Sequence, residues 1–319
     1  MTAEQMDEQI REIRQQIEQP FGVNLFVPSS FHAYEEEIQA TQLLLKKYEG
    51  MLGTESQKIE IPTFEKTCTE YEKQLEIVLA HKVPVCSFTF GLPTKNIIQK
   101  LKQQGILLVG TATTVEEAIA NEEAGMDAVV VQGYEAGGHR GNFLSTHEEG
   151  SIGLMSLIPQ VVDKVSIPVI AAGGIMDGRG IMAALSLGAQ AVQMGTAFLV
   201  CEESGAPTIH KQAILKARPE EIHLTRAFSG KWARGIENTF IREMNNTETV
   251  FPSFPIQNAL TQQIRKAASR QGNTEYMSLW SGQSPMLAKE ETVQGLMRRL
   301  MEELEDIKEK MFLLTKGEE

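Results

Sequence analysis

Short apolar segments alternate with amphipathic segments over residues 21–199, and this alternation constrains the fold more than any other feature. Six segments are rich in Val, Ile or Leu and apolar on both faces, as expected for strands that helices cover on both sides. Repeated βα units of this kind predict a parallel sheet, in either a (β/α)₈ barrel or a doubly wound domain. The six predicted strands are residues 21–27, 83–90, 106–112, 128–133, 168–174 and 191–199.

The positions of the glycines favour the barrel. A dinucleotide-binding unit would place a G-x-G-x-x-G sequence after its first strand, and this sequence has none there. Glycines instead follow later strands, at Gly137 and Gly138, at Gly173 and Gly174, and at Gly195. A tight turn explains any one of these glycines. Three clusters after successive strands predict a ligand site, since the loops at this face of a barrel typically hold phosphate.

A closed barrel of this class needs eight strands, and the sequence provides six. The chain opens on a helix, with Thr2 as the N-cap and Gln5 as its capping-box partner, and no strand precedes it. We therefore predict a (β/α)₈ TIM barrel that lacks its first two strands. A start Met assigned inside a longer gene is the explanation we favour, and a true truncation is the other. Two further strands after residue 200 are an alternative.

The pattern changes after residue 200. Helical periodicity dominates there, interrupted by two segments that carry Trp232 and Trp280. We predict a barrel over residues 1–200 and a small, mainly helical subdomain over residues 201–289. The amphipathic helix at residues 290–319 is expected to pack back onto the barrel.

Composition argues against several classes of protein. The formal net charge is −12, and an acidic chain does not attract nucleic acid or anionic lipid. No apolar stretch approaches the roughly 18 residues of a membrane helix. The first residues are polar and the three cysteines lie far apart, so we expect a cytoplasmic protein with reduced thiols. No HxH, HExxH or CxxC spacing supports a metal site, and no G-x-S-x-G supports a serine hydrolase.

His139 is the candidate reactive residue, because it lies in the segment GGHRG that follows a buried strand. An imidazole with an ordinary pKa of about 6.5 acts as base or acid at neutral pH. A histidine in a loop is more often structural, but the flanking glycines let a ligand approach the backbone closely. His81, His147 and His210 have no such neighbours. Two roles are open for Arg140: it pairs with a phosphate or substrate, or it is a solvent-facing loop charge or a partner of Glu135.

Four motifs together resemble the nitronate monooxygenases of the 2-nitropropane dioxygenase type: QGYEAGGHRG, IPVIAAGGIMDGRG, AVQMGTAFL and FGVNLFVPS. The resemblance runs from the first helix to at least SGQSP, near residue 285. It implies an FMN-dependent TIM-barrel enzyme with a small helical subdomain. Family members begin with a strand of the approximate sequence P-I-I-Q-G-P-M, which this sequence lacks.

The resemblance also implies roles for individual residues. His139 corresponds to the active-site histidine, and Lys231 and Arg234 would line the site from the subdomain. The implied contacts to the rest of FMN are Asn24, Gln132 and Gly137. The residues implied to hold its phosphate are Gly174, Gln193, Met194, Gly195 and Thr196.

The implied activity is the oxidation of alkyl nitronates, such as propionate 3-nitronate, by O₂ to a carbonyl compound and nitrite. His139 would stabilise or orient the nitronate, or remove the α-proton of a neutral nitroalkane. The partners would be these small molecules, with the chain acting alone or as a homodimer. One alternative is a flavin-dependent enoyl-acyl-carrier-protein reductase, a relative with a similar GGH segment. The other is a non-catalytic FMN-binding remnant.

Overall fold

A computed structural model describes residues 1–54 and 59–316, with side chains up to residue 312. It contains one parallel sheet of six strands in the order β1-β2-β3-β4-β6-β7 and a second, antiparallel sheet in the order β5-β9-β8. The α/β fold with a parallel sheet is therefore confirmed. The strands are β1 (Gly22–Phe26), β2 (Val85–Thr89), β3 (Leu107–Ala112), β4 (Ala128–Gln132), β5 (Gly138–His139), β6 (Val169–Ala172), β7 (Ala191–Gln193), β8 (Ile222–Thr225) and β9 (Ala233–Ile236).

Helices connect the parallel strands and build the C-terminal region. The first helix begins at the predicted N-cap, Thr2, whose side chain accepts from the backbone N–H of Gln5. The helices are α1 (Ala3–Gln16), α2 (Glu35–Leu52), α3 (Phe64–Ala80), α4 (Lys95–Gln103), α5 (Val115–Ala124), α6 (Leu154–Val162), α7 (Gly178–Ser186), α8 (Thr196–Leu199), α9 (Thr208–Lys216), α10 (Thr239–Asn245), α11 (Ile256–Arg270) and α12 (Val293–Lys316).

The sixth predicted strand, residues 191–199, is wrong in its second half. Strand β7 ends at Gln193, and the chain turns at Gly195 into the short helix α8. A continuous apolar run does not distinguish a strand from a buried helical turn. Within this helical turn, Ala197 is buried in the apolar core.

The region after residue 200 contains two strands as well as helices. Strands β8 and β9 pair with each other, and β9 also pairs with β5, all in antiparallel register. The alternative prediction placed two further strands after residue 200. Two strands are present there, but they lie outside the parallel sheet. Within the described residues, β1 and β7 are the end strands of that sheet.

Three apolar clusters form the core. One lies around α1, α3 and strands β1 to β3, and a second lies between strands β3 to β6 and the helices α5 to α8 and α12. The third contains most of the apolar residues after Val200 together with Leu45 and Tyr48 of α2. The ring of Tyr48 meets that of Phe240 edge to face at 5.0 Å. The C-terminal region thus shares its core with a helix that precedes β2.

The final helix α12 packs against α7. Leu296 and Leu300 are buried in the same cluster as α7, and the carboxylate of Glu303 accepts a hydrogen bond from the backbone N–H of Gly178 at 2.8 Å. A Cβ at Gly178 would lie 2.5 Å from the Cβ of Glu303, so this close approach requires glycine. Among the described residues, no helix combines the length and the apolar character needed to cross a membrane.

Helix α6 provides a test of which apolar side chains hold the sheet and helices together. Leu157 is fully buried, whereas Met155 on the same helix is 76% exposed. We expect Leu157→Ala to lower the free energy of unfolding by about 3 kcal/mol, because it leaves a cavity in the core. Met155→Ala should change it by less than about 0.5 kcal/mol. Urea denaturation of both variants measures this, and equal effects would contradict the assigned packing.

Candidate active site

A cavity of about 280 Å³ lies at the carboxyl ends of the parallel strands. This is the face at which α/β barrels and sheets bind ligands. Six of the predicted FMN contacts line it, and they come from three strands, β4, β6 and β7, or from the segments that follow them. These residues are Gln132, Gly137, Gly174, Gln193, Gly195 and Thr196.

The backbone at one end of this cavity presents free hydrogen-bond donors. The N–H groups of Gly174, Gly195 and Thr196 donate to no acceptor in the part of the chain that the structure describes. Gly174 has a φ of +68°, a conformation that favours glycine. A Cβ at Gly195 would meet no atom within 4 Å, because it would project into open space. Backbone donors around an open space suit the oxygens of a phosphate group.

Gly137 is required by packing within the protein. A Cβ there would lie 2.5 Å from the backbone N of Gly282, whose N–H donates to the hydroxyl of Thr196 at 3.0 Å. The loop around Gly282 thus closes the cavity from the C-terminal region. Trp280, Gly282 and Ser284 all line the cavity, and the sequence analysis did not single out their contribution. The resemblance extended to SGQSP, which was the signal available for them.

The side chains of two predicted FMN contacts, Asn24 and Met194, do not line this cavity. The amide oxygen of Asn24 accepts hydrogen bonds from Ser87 at 3.0 Å and from Thr89 at 3.1 Å. Asn24 faces a neighbouring, larger cavity, although Thr89 lines the smaller one. The side chain of Met194 packs into the apolar core, so only its backbone can reach a ligand beside Gly195.

Gln132 uses its amide to hold the segment that carries the histidine. Its Nε2 donates to the backbone O of His139 at 3.1 Å, and its Oε1 accepts from the backbone N–H of Gly141 at 2.9 Å. A second proton on Nε2 remains for a ligand. Gln132 therefore links the end of β4, the cavity wall and the loop after β5.

His139 lies on β5, where it pairs with Ala233 of β9. Its Nε2 lies 2.8 Å from the hydroxyl oxygen of Ser229. Three aromatic rings surround the imidazole edge to face, with centroids 5.4 to 6.1 Å away: those of Phe90, Phe254 and Trp280. These rings cover one part of the imidazole and leave His139 half-buried.

The imidazole of His139 is neutral at physiological pH. Burial, the larger cause, and the nearby charges of Lys231 and Arg265 together lower its pKa from the ordinary 6.5 to about 4. The hydroxyl of Ser229 donates to the backbone O of Lys231 at 3.0 Å, so its oxygen is free to accept from Nε2–H of His139. This network assigns the proton to Nε2 and leaves the lone pair of Nδ1 available.

Arg140 and Arg234 have structural positions away from the cavity. The buried guanidinium of Arg140 donates to the carbonyl oxygens of Gln132, Gly133 and Gly150. Arg140 is buried and lines neither cavity, which favours neither a surface position nor a ligand contact, and the charge of Glu135 acts on it. Arg234 is also buried, and its guanidinium carbon lies 4.6 Å from the ring centroid of Tyr134.

A second, larger cavity has a volume of about 1020 Å³. Phe90, Phe254 and Lys231 line it, and the first two also contact the ring of His139. His139 itself lines neither cavity. Its ring contacts Phe90 and Phe254, which line the larger cavity, and Trp280, which lines the smaller one. Within residues 1–54 and 59–316, no group of three or more His, Cys, Asp or Glu side chains is arranged to hold a metal ion.

A sequence model of the nitronate monooxygenase family matches residues 1–303. The chain belongs to this family. A probable nitronate monooxygenase of Staphylococcus haemolyticus is 50% identical over 308 residues, which cover 96% of this chain and 85% of the relative. A probable nitronate monooxygenase of Staphylococcus aureus is 47% identical over 305 residues, with 95% and 85% covered.

Solved structures agree with the family assignment. Nitroalkane oxidase from Streptomyces ansochromogenes is similar with a TM-score of 0.88 and 38% identity, over 97% of this chain and 87% of that one. FabK from Thermotoga maritima is similar with a TM-score of 0.75 and 29% identity, over 98% and 84%. The predicted membership of the nitronate monooxygenase family and the predicted enzyme class, a flavin-dependent oxidoreductase, are both confirmed.

Glu117 supports the loop after His139, and the sequence analysis did not identify it. This fully buried carboxylate accepts from the backbone N–H groups of Phe143, Leu144 and Ser145 and from that of Thr113. Burial opposes the charge of Glu117, but these hydrogen bonds outweigh it and lower the pKa of the carboxyl. The sequence offers no signal for this role, because the donors lie 26 to 28 residues away.

We expect Glu117→Gln to lower the free energy of unfolding of this nitronate monooxygenase family member by about 2 kcal/mol. The amide of Gln cannot accept all of these hydrogen bonds. The pKa of Glu117 is lower in the folded state than in the unfolded state. The stabilisation of the folded state by the Glu117 carboxylate is therefore complete above the unfolded-state pKa of about 4.3. It is lost as the pH falls through the lower pKa of the folded state. Urea denaturation at pH 7 and at pH 4 measures both effects. An unchanged unfolding midpoint at pH 7 would contradict this role.

Proposed function

We propose that this enzyme uses FMN to oxidise alkyl nitronates, such as propionate 3-nitronate, with O₂ to a carbonyl compound and nitrite. The observation that carries the proposal is the neutral imidazole of His139, which directly follows Gly138, a residue of the glycine-lined cavity that suits a phosphate-bearing cofactor. The family membership supports oxidation of a nitro compound. The acidic composition favours a cytoplasmic enzyme with small-molecule partners.

The residues that line the smaller cavity fit FMN. The free N–H groups of Gly174, Gly195 and Thr196 would hold its phosphate, and the second Nε2 proton of Gln132 would reach the ring system. Bound there, FMN would supply the electron transfer from the substrate to O₂. The protein supplies the binding, the orientation and the exclusion of water.

His139 acts in this proposal as a base of low intrinsic pKa. A nitronate arrives already deprotonated, so the imidazole needs only to orient it. A neutral nitroalkane must lose its α-proton, which the lone pair of Nδ1 accepts. An anion beside the imidazole favours its protonated form, so the pKa of His139 rises as the nitronate forms. The aromatic rings around it keep water from competing for the proton.

A reductase remains a second candidate, because the larger cavity offers apolar space beside His139 for an acyl chain. A flavin-dependent enoyl-acyl-carrier-protein reductase would oxidise NAD(P)H without any nitronate. Following nitrite release with propionate 3-nitronate, and NAD(P)H oxidation in its absence, separates the two. A non-catalytic FMN-binding remnant would show neither activity.

Gly195 provides a test of the cofactor site that needs no activity. We expect Gly195→Val to lower the FMN content of the purified protein by about 10-fold or more, since the new side chain occupies space beside the phosphate donors. Gly205→Val is the control, because a Cβ at Gly205 also meets no atom within 4 Å but lies outside the cavity. Flavin absorbance against protein concentration measures both. Full FMN content in the Gly195 variant would contradict the placement.

His139→Asn tests the chemical step. We expect nitrite release from a neutral nitroalkane to fall by roughly 10²–10⁴-fold, as is typical when a general base is removed, while bound FMN is retained. The control is His223→Asn, because His223 is exposed on β8. Activity that survives in the His139 variant would exclude its role as a base.

The pKa of His139 predicts the pH profile of the wild-type enzyme. With a pKa of about 4, the imidazole stays neutral and able to accept a proton down to acidic pH. We therefore expect kcat/KM for a neutral nitroalkane to stay level between pH 7.5 and pH 5, as stopped assays at each pH would measure. A fall centred near pH 6.5 would indicate an ordinary, solvated histidine instead.

A further inference from the structure

Lys231 is a cation without a counter-ion beside His139. Its Nζ lies 3.2 Å from the backbone O of Asn142 and 4.6 Å from the ring centroid of Phe90. An ammonium has three N–H donors, and Asn142 takes only one of them. Across residues 1–54 and 59–316, no carboxylate forms an ion pair with Lys231.

The backbone around Lys231 is built to hold it there. Gly230 has a φ of +80°, and a Cβ at this position would lie 2.2 Å from the backbone O of Pro252. Ser229 receives the hydrogen bond of the imidazole and donates to the backbone O of Lys231. Phe90 also has a left-handed φ of +74°, which is rare for an aromatic residue and often occurs at functional sites.

Lys231 gives the part of the larger cavity that it lines with Phe90 and Phe254 a positive charge. Burial lowers the pKa of Lys231 to about 8, so the side chain is a cation at pH 7. The nearest acidic influence comes from Glu117, whose oxygens already accept the hydrogen bonds of Thr113 and of residues 143–145. Arg265 adds a second buried positive charge that acts on His139. A desolvated cation is costly unless an anion pairs with it.

We propose that Lys231 is the substrate-binding residue that pairs with the negative charge of the nitronate, on the wall of the larger cavity formed by Lys231, Phe90 and Phe254. This rests on the proposed function and deepens it, because it makes the enzyme selective for the anionic nitronate over the neutral nitroalkane. The ammonium holds the oxygens of the planar C=NO₂ group, and the imidazole of His139 faces the carbon side. No bond is made or broken in this step.

Nitrate is a direct probe, since its planar NO₃ centre matches the C=NO₂ centre of a nitronate and it is not turned over. Titration calorimetry at low ionic strength with the FMN-loaded enzyme measures its binding. We expect Lys231→Met to weaken nitrate binding by roughly 10- to 100-fold, and Lys231→Arg to weaken it by less than about 3-fold. Equal binding by the wild-type protein and the Met variant would overturn the proposal.

Lys66→Met is the matched control. Lys66 lines the same cavity but pairs with Glu60 at 2.5 Å, and its side chain is 66% exposed, so its loss should not affect nitrate binding. If it weakens binding as much as the Lys231 change does, a general charge effect replaces the proposed contact.

Kinetics distinguish this proposal from the proposed function. Lys231→Met should raise KM for propionate 3-nitronate roughly 10-fold or more and change KM for neutral nitroethane by less than about 3-fold. An equal rise for both substrates would overturn the selective contact. If the wild-type enzyme releases no nitrite but binds nitrate through Lys231, the proposed oxidation fails and the anion site stands.

Discussion

The antiparallel pairing of Gly138 and His139 with Ala233 and Arg234 is the interaction on which the site depends. It joins the loop after β4 to a strand almost a hundred residues later in the chain. The backbone N–H of Arg140 extends it by donating to the O of Trp232 at 2.8 Å. Through this pairing the imidazole meets Ser229, the aromatic rings and Lys231. Without it, His139 would be a residue of a glycine-rich loop with no fixed orientation.

Charge is distributed unevenly around this pairing. Glu117 is buried with its charge satisfied by backbone N–H groups, and Arg140 is buried with its charge satisfied by backbone carbonyls. Both hold loops in place and neither faces the cavities. Lys231 is different, because its ammonium donates to one carbonyl oxygen, that of Asn142, and lies 4.6 Å from the ring centroid of Phe90. Backbone groups thus satisfy the charges of Glu117 and Arg140, whereas the proposed role of Lys231 depends on its having few partners within the protein.

Much of the fold was predictable because strand and helix periodicities are local properties of the chain. All six parallel strands were located, and five of them end within two residues of the predicted boundaries. The exception, at residues 194–199, arises because a buried helical turn and a buried strand have the same composition. Strands β8 and β9 were missed, since a strand of four residues with a charged Arg234 has little periodic signal. Gly195 was assigned to a ligand site from its place after a strand, which is a local inference, and Gln132 was assigned from the family resemblance.

The sequence by itself determined the α/β fold, the family, the cavity-lining glycines and the candidate histidine, because each depends on residues that are close together in the chain. Only the tertiary structure decided the chemical character of His139. Its neutral state comes from burial by Phe254 and Trp280 and from the charges of Lys231 and Arg265, all distant in sequence. Desolvation and charge interactions act through space, so no local pattern in the sequence records them.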